Sequence, residues 1–260
     1  MPDIIAVTGC ASGIGAQTAK VLRAEGARVI GLDIVEARED VDEFIPLDLT
    51  DPTSIDAAAA ALPDGLAGLA NIAGLPPREG WEAKILQVNY HGQRQLTGAA
   101  LNKLVQGAAI VNLASRAGKA WMDNIDQVKR LTATDDLVTF SADEGLDPAR
   151  AYNLSKEAMI VWTLAESEGL VARGLRMNCV SPSAVATGIL DDFLTAFGPM
   201  VAKNVERAGR AGTAEEIARI VTFLLNPASG WIRGTDIWTD GGMGAFAVSD
   251  MLNLAQIKCL

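Results

Sequence analysis

Along the chain, short and almost unbroken apolar runs alternate with longer segments whose apolar positions recur every three or four residues. IIAVTG at 4–9 is followed by the helical pattern AQTAKVLRAEG at 16–26, and then by RVIGLD at 28–33. FIPLD at 44–48 precedes the alanine-rich SIDAAAAAL, which is opened by the helix-start signal TDPTS. GLANIAG at 68–74, AIVNLAS at 109–115, RMNCVSP at 176–182 and DIWTDGG at 236–242 read as later strands. Strands that stay apolar without alternation belong to a parallel sheet covered on both faces, with amphipathic helices as the covers. The pattern predicts an α/β fold, a doubly wound parallel sheet. No composition break, linker or internal repeat divides the chain, so residues 1–260 are read as a single domain.

Composition narrows the function. At 260 residues and 49% hydrophobic content the chain can bury a substantial core. Its mean hydropathy is +0.20, and no run approaches the roughly 18 apolar residues of a membrane span. A formal net charge of −10, from 32 acids against 22 bases, argues against nucleic acid or an anionic membrane as partner. MPDIIAVTG enters a strand directly, with no basic region ahead of an apolar one, so no secretory signal and a cytoplasmic location are expected. Cys10, Cys179 and Cys259 are odd in number and far apart, as reduced thiols are. His91 is the only histidine, and no CxxC or HExxH pattern exists, so a zinc mechanism lacks its ligands. A Ser-His-Asp hydrolase would have to use His91, and there is no GxSxG elbow.

The candidate chemistry sits at two places. TGCASGIG at 8–15 lies where the first strand turns into the first helix. Gly9 can make the sharp exit, while Gly13 and Gly15 leave room for a pyrophosphate over the helix N-terminus, as in a Rossmann-type nucleotide fold. A lone glycine pattern is weak, and its position after a strand is what strengthens it. Asp33 ends the second strand, 18 residues beyond Gly15 (33 − 15), where a carboxylate would accept hydrogen bonds from an adenosine ribose. That carboxylate would repel the extra phosphate of NADP, and neither Ser12 nor Ile34 offers a base to welcome it. NAD is the expected cofactor.

The second place is RAYNLSKEAMIVW at 150–162, with Tyr152 four residues before Lys156 and therefore on one helix face. Lowering a phenol from a pKa of about 10 to about 7 needs roughly 4 kcal/mol. One ammonium at about 4 Å supplies that order of energy at an effective dielectric of 20. An idle surface pair is the alternative that spacing alone leaves open.

Taken together, TGCASGIG, NIAG, a serine after a buried strand and YNLSK resemble the short-chain dehydrogenase/reductase family, over essentially the whole chain and in the family's order. The resemblance implies that Gly9, Ser12, Gly13, Ile14 and Gly15 form the cofactor loop, with Asp33 on the ribose. Asp48 and Leu49 would line the adenine, and Asn71, Ala73 and Gly74 would steady the sheet beside the cofactor. Val185 and Thr187 in SPSAVATGI would hold the carboxamide. Tyr152 would be the acid and base, Lys156 its electrostatic partner and a ribose ligand, Ser115 the group that orients the substrate oxygen, and Asn89 the anchor of a proton-relay water. His91 and Cys10 are given no task.

Within the family, SKEAMIVW and RMNCVSPSAVATGILDDFLTAFG are most similar to bacterial coniferyl-alcohol dehydrogenases, and next to 3α-hydroxysteroid dehydrogenase/carbonyl reductases. The implied substrate is a small apolar alcohol with its aldehyde or ketone, phenylpropenol-like or steroid. A lid at about 188–210 carries Ile189, Leu190, Phe193, Leu194, Phe197 and Met200, a stripe that could equally be core. A non-catalytic NAD-binding sensor, or an epimerase on a larger related fold, is the alternative from another class.

The chain departs from the family pattern twice. Ser183 follows Pro182 where the family has glycine, placing a side chain at the nicotinamide. The gap from Ser115 to Tyr152 is 37 positions (152 − 115), which implies a helical insertion at about 116–151. Trp121, Ile125, Val128 and Leu131 recur within it at helical spacing, as a packing stripe or a substrate wall. The apolar C-terminal stretch GAFAVSDMLNLAQIKCL is expected to cover the site edge or a neighbouring subunit, in a homodimer or homotetramer.

Overall fold

The computed structural model describes residues 3–37 and 39–257, apart from the side chains of Pro199, Met200 and Ala255. Cys259, and the side chain of Met200 in the lid stripe, lie outside the described residues. The strands are β1 (Ile4–Thr8), β2 (Arg28–Asp33), β3 (Glu43–Pro46), β4 (Leu66–Asn71), β5 (Leu104–Leu113), β6 (Arg176–Pro182) and β7 (Asp236–Thr239). All pairings among them are parallel, in the order β3-β2-β1-β4-β5-β6-β7. The chain leaves β1 with β2 on one side and β4 on the other. That reversal opens a crevice at the carboxyl ends, where ligands of such sheets bind.

The helices are α1 (Gly13–Ala24), α2 (Pro52–Ala61), α3 (Glu82–Leu86), α4 (Gly92–Ala100), α5 (Ile125–Thr132), α6 (Leu137–Asp143), α7 (Pro148–Ala172), α8 (Leu190–Phe197), α9 (Pro199–Ala208), α10 (Ala214–Leu225) and α11 (Met243–Met251). Successive strand residues face opposite ways. Ile5, Val7 and Val29 pack with Leu22, Ile217 and Val221 of α1 and α10. Ala6, Ile30, Leu32 and Ile110 pack with Ile55, Leu96, Leu154 and Ala158 of α2, α4 and α7. Each fully buried aliphatic side chain contributes about 2 kcal/mol, and two such layers explain why the strands read as continuous apolar runs.

Strand β5 begins five residues before the sequence pattern places it, because Leu104 pairs with Leu66 ahead of the regular register at Ala109. Gly107, at φ 88°, lets the strand pass through that irregularity. Thr8, Asn71 and Asn112 are polar residues inside the sheet, and each makes defined hydrogen bonds, although Asn71 Oδ1 is buried without a partner. Asn71 Nδ2 donates to Thr97 Oγ1 at 2.9 Å and to Asn112 Oδ1 at 2.8 Å, and Asn112 Nδ2 donates to Thr163 Oγ1 at 2.9 Å. This buried chain ties β4 and β5 to α4 on one side and to α7 on the other.

Asp147 caps α7 by accepting from the Arg150 amide at 2.6 Å, with Pro148 in the first turn. The segment between Ser115 and Tyr152 folds as a 3₁₀ turn (Arg116–Gly118) followed by α5 and α6. Val128 and Leu131 are buried in the core layer beside α7. Arg150 makes a forked ion pair with Glu157, at 2.8 and 2.6 Å, while Asn124 donates to the same carboxylate at 2.8 Å and Gln127 Oε1 accepts from Arg150. The insertion is thus stapled to α7 on both sides of Tyr152. Among the described residues no helix is long and apolar enough to cross a membrane.

Because the Glu157 side chain is only 1% exposed, Glu157→Ala leaves Arg150 and Asn124 without their partner. The expected loss is about 3 kcal/mol, or roughly 10 °C in Tm. Glu215→Ala, which removes an exposed i,i+4 partner of Arg219, should change stability by less than about 0.5 kcal/mol. Chemical and thermal denaturation of both variants checks this, and equal effects would overturn it.

Candidate active site

The glycine loop is built by steric necessity. A Cβ at Gly15 would lie 2.0 Å from the Gly9 carbonyl oxygen, and one at Gly9, where φ is 73°, would lie 2.8 Å from Ala73 Cα. Gly13 is different. Its φ is 53°, and a Cβ there would meet nothing nearer than Thr187 at 3.8 Å. An open cradle therefore lies between the loop and Thr187. Ser12 precedes α1 in extended conformation and makes no side-chain cap, and no acid occupies the first turn. The amides of that helix end are left for an anion, which the helix dipole favours.

Asp33 Oδ2 accepts from the Ala11 amide at 3.0 Å and Oδ1 from the Val35 amide at 3.0 Å, so the carboxylate is pinned beside the loop. Asp48, at the end of β3, accepts from the Thr50 amide and hydroxyl at 2.8 and 2.7 Å, and these bonds hold its carboxyl below the usual range. The Leu49 side chain is buried in the core, and its carbonyl accepts from Gln87 Nε2 at 3.1 Å. Thr8 Oγ1 accepts from the Ile72 and Ala73 amides at 2.9 and 3.0 Å, and Gln93 Nε2 donates to the Ala73 carbonyl at 2.9 Å. These two residues clamp the 71–74 segment. Sequence reasoning missed them, since a threonine ending an apolar strand and a glutamine inside a helix pattern have no distinguishing mark. The cradle, the uncapped helix end and the pinned carboxylate fit a dinucleotide.

Ser115 ends the loop after β5, and Tyr152 and Lys156 stand one turn apart near the start of α7. The Ser115 hydroxyl lies beside the Tyr152 phenol and favours its ionised form. Lys156 Nζ donates to the Leu113 carbonyl at 2.8 Å and lies 5.7 Å from the Tyr152 ring centroid. Asn89 sits in a five-residue π turn (Gln87–His91) between α3 and α4, an irregularity common at functional sites. Its amide accepts from the Leu75 N–H at 2.7 Å and donates to the Leu75 carbonyl at 3.1 Å and to Ser155 at 3.2 Å. A Cβ at Gly74 would come within 3.2 Å of Asn89 Oδ1 and 3.6 Å of Lys156 Nζ. The lysine and the asparagine thus meet behind that glycine.

Burial decides the electrostatics here. The Tyr152 phenol is pushed up to about 12 by desolvation, with nearby Ser115 acting against this, and the Lys156 ammonium is pushed down to about 8. The spacing argument from sequence set a full ammonium against a phenol at an intermediate dielectric, and it left out the water that both groups lose on folding. With the protein's own residues alone, Tyr152 is a protonated acid. Cys10 is buried, its thiol pushed up to about 12 chiefly by desolvation, and it packs where a Cβ on Gly31 would come within 2.6 Å of its sulfur. His91 Nε2 donates to the Leu131 carbonyl of the insertion at 3.2 Å, and burial lowers its pKa.

Ser115, Tyr152, Asn153 and Lys156 open into a cavity of about 390 Å³. Its apolar wall includes Leu75, Leu113, Ile189, Phe193, Phe197 and Val201, with Met243 and Ala247 from α11. Phe193 stands edge-on to the Tyr152 ring at 5.1 Å, and Phe197 stacks on Phe193 at 6.2 Å. None of α8 is buried, so its apolar stripe is cavity wall and surface rather than core. Trp121, Ile125, Val128 and Leu131 do not line the cavity. Ser183 does, and its hydroxyl reaches Met243 Sδ at 3.0 Å. Val185 lies in a two-residue bridge with Gly212, and the Thr187 amide donates back to its carbonyl at 2.9 Å. Among the described residues no group of three or more His, Cys, Asp or Glu could hold a metal.

Residues 3–125 match the family described as "short chain dehydrogenase", and residues 136–244 match that described as "Enoyl-(Acyl carrier protein) reductase". A coniferyl-alcohol dehydrogenase of Pseudomonas sp. strain HR199 is 37% identical over 93% of this chain and 96% of its own length. A 3-alpha-hydroxysteroid dehydrogenase/carbonyl reductase of Comamonas testosteroni is 31% identical over 94% and 97%. The crystal structure of the 3-alpha-hydroxysteroid dehydrogenase from Pseudomonas sp. B-0831 complexed with NADH superposes with a TM-score of 0.81. It is 29% identical and covers 94% of this chain and 98% of that one.

Tyr90 and Tyr152 are the only tyrosines, and burial raises both phenols. In the folded, cofactor-free protein at about pH 10, where a free phenol is half ionised, tyrosinate absorbance should fall clearly short of the one residue's worth that two free phenols would give. A signal worth one residue, with folded circular dichroism, would overturn this. The raised Tyr152 pKa contributes stability in full below about pH 10, and that contribution is lost as pH rises through about 12.

Proposed function

The chain belongs to the short-chain dehydrogenase/reductase family and is an oxidoreductase, and from that premise we propose that it interconverts an apolar, ring-bearing alcohol and its carbonyl compound with NAD. The observation that carries this reading is the convergence of Ser115, Tyr152 and Lys156 on one otherwise apolar cavity next to the glycine loop. Bound cofactor supplies the hydride acceptor for oxidation, the hydride donor for reduction, and in its oxidised form a positive charge. The α1 amides would hold its pyrophosphate, Asp33 its ribose, and Val185 and Thr187 its carboxamide. Asp33 beside the loop supports NAD over NADP.

Tyr152 does the proton work. In reduction its protonated phenol donates to the oxygen of the carbonyl substrate as hydride reaches the carbon. In oxidation it takes the hydroxyl proton. Ser115, beside the phenol, orients the substrate oxygen and shares the charge that develops on it. Lys156 uses one donor on Leu113 and keeps two for the ribose and for Tyr152. Asn89 and Lys156 flank Gly74, which suits a water-mediated proton path to solvent. The similarity to coniferyl-alcohol dehydrogenase supports a phenylpropenol-like primary alcohol. The hydroxysteroid dehydrogenase relatives, together with a cavity of about 390 Å³, support a secondary steroid alcohol as the second reading. Val248, Met251 and Leu252, exposed on the C-terminal segment, support a homo-oligomer. Buried, separate Cys10 and Cys179 suit the reducing cytoplasm.

Reduced-cofactor absorbance, followed with NAD or NADP and a panel of coniferyl alcohol, cinnamyl alcohol and a 3α-hydroxysteroid, tests the reading. NAD-dependent turnover of the phenylpropenols is expected, and steroid turnover alone would move the substrate to the second reading. Tyr152→Phe should lower kcat by at least about 100-fold while NADH binding persists. Near-normal turnover in that variant would remove the mechanism. NADH binding without turnover of any alcohol would favour a sensor.

A further inference from the structure

The lid helix α8 has no buried residue to fix its position. It nonetheless carries Phe193 and Phe197, the rings that stand against Tyr152. Something outside the core must decide where it lies. Arg78, 114 positions earlier in the chain, grips Asp192 of α8 with a two-pronged ion pair, Nε to Oδ1 at 2.9 Å and Nη2 to Oδ2 at 2.9 Å. Among the described residues this is the only ion pair that α8 makes. Asp192 also lies in the first turn of α8, where a negative charge is favoured.

The arm that bears Arg78 is rigid. Leu75 is held through both its amide and its carbonyl by Asn89. Pro76 and Pro77 follow, both buried and with fixed backbone φ. The Arg78 guanidinium then lies over the Trp81 ring, 4.9 Å from its centroid, which limits its freedom. The path runs from Asn89 through the proline strut to Arg78, across to Asp192, and into Phe193 on the Tyr152 ring. The lid is thereby referenced to the same π turn that holds Asn89.

We propose that Arg78 is a positioning residue for substrate, which latches α8 through Asp192 so that Phe193 and Phe197 wall the cavity beside Tyr152. The proposal rests on the reading of that cavity as the alcohol site. Loss of the latch lets α8 swing away, so substrate is held less firmly while the proton-transfer groups stay in place.

The test uses the full chain as wild type, Arg78→Ala, Asp192→Asn, Arg78→Lys and the charge swap R78D/D192R. Chymotrypsin cleavage within 188–210 reads the lid without requiring turnover. It should be roughly five-fold faster in Arg78→Ala and Asp192→Asn, the scale of a partly exposed forked pair. The alcohol KM should rise by about the same factor, with kcat changing less and NADH affinity unchanged. The swap should restore both readouts, and Arg78→Lys, which keeps the charge without the fork, should lie between. Unchanged cleavage and KM in both single variants would overturn the latch, and so would a parallel loss of kcat, NADH affinity and thermal stability. Faster lid cleavage in a protein that turns over none of the panel alcohols would leave the latch standing and remove the alcohol-site reading.

Discussion

The buried chain of side-chain hydrogen bonds from Thr97 through Asn71 and Asn112 to Thr163 fixes where α7 lies on the sheet. Apolar packing alone would let a 25-residue helix slide or roll at little cost, because aliphatic contacts are not directional. Amide-to-hydroxyl bonds in a water-free interior are directional, and each unmade one costs about 1–3 kcal/mol. Tyr152 and Lys156 project from the turns that this network and the Arg150–Glu157 staple hold between them. The same Asn71 ends the strand that leads into the 71–74 segment clamped by Thr8 and Gln93. One polar spine therefore sets the distance between the nucleotide side of the crevice and the acid–base pair.

That placement has an electrostatic consequence. Held inside the protein, the phenol and the ammonium both lean toward their neutral forms, and Tyr152 rests as a proton donor. On the proposed function, that resting state suits donation of a proton in carbonyl reduction, while oxidation calls for added positive charge in the same pocket. The aromatic pair on α8 stands against the Tyr152 ring and is part of what keeps water from the phenol. A helix with no fully buried residue, joined to Arg78 by one forked ion pair, covers the buried phenol of Tyr152. Lid position and proton affinity are coupled through that cover.

Substrate shape enters through the same wall. Phe193 edge-on to Tyr152 and Phe197 stacked behind it present flat, polarisable surface. Met243 and Ala247 also line the cavity, and Ser183, which lines it with them, donates to Met243 Sδ. The departure from the family's glycine is absorbed locally by that contact. The start of the insertion lines the cavity through Arg116, Ala117 and Lys119, while its helices act indirectly, through contacts to the buried carboxylate of Glu157 next to the Tyr152 turn.

The sequence by itself determined the sheet and the chemistry that local geometry can express. Apolar runs without alternation required a doubly covered parallel sheet. A glycine pattern at a strand-to-helix turn required a backbone cradle, and four-residue spacing required Tyr152 and Lys156 to share a face. These are consequences of covalent geometry and burial that neighbouring residues impose on one another. Thr8, Gln93, the Asn71–Asn112 spine and the Arg78–Asp192 pair were not legible, because their partners lie between 20 and 114 positions away and their residue types are ordinary in sequence. The sign of the pKa shifts was also hidden, since it depends on how much water two groups lose when distant segments close over them. Only the tertiary structure decided that, for it alone brings α8, α7 and the loop after β5 into contact.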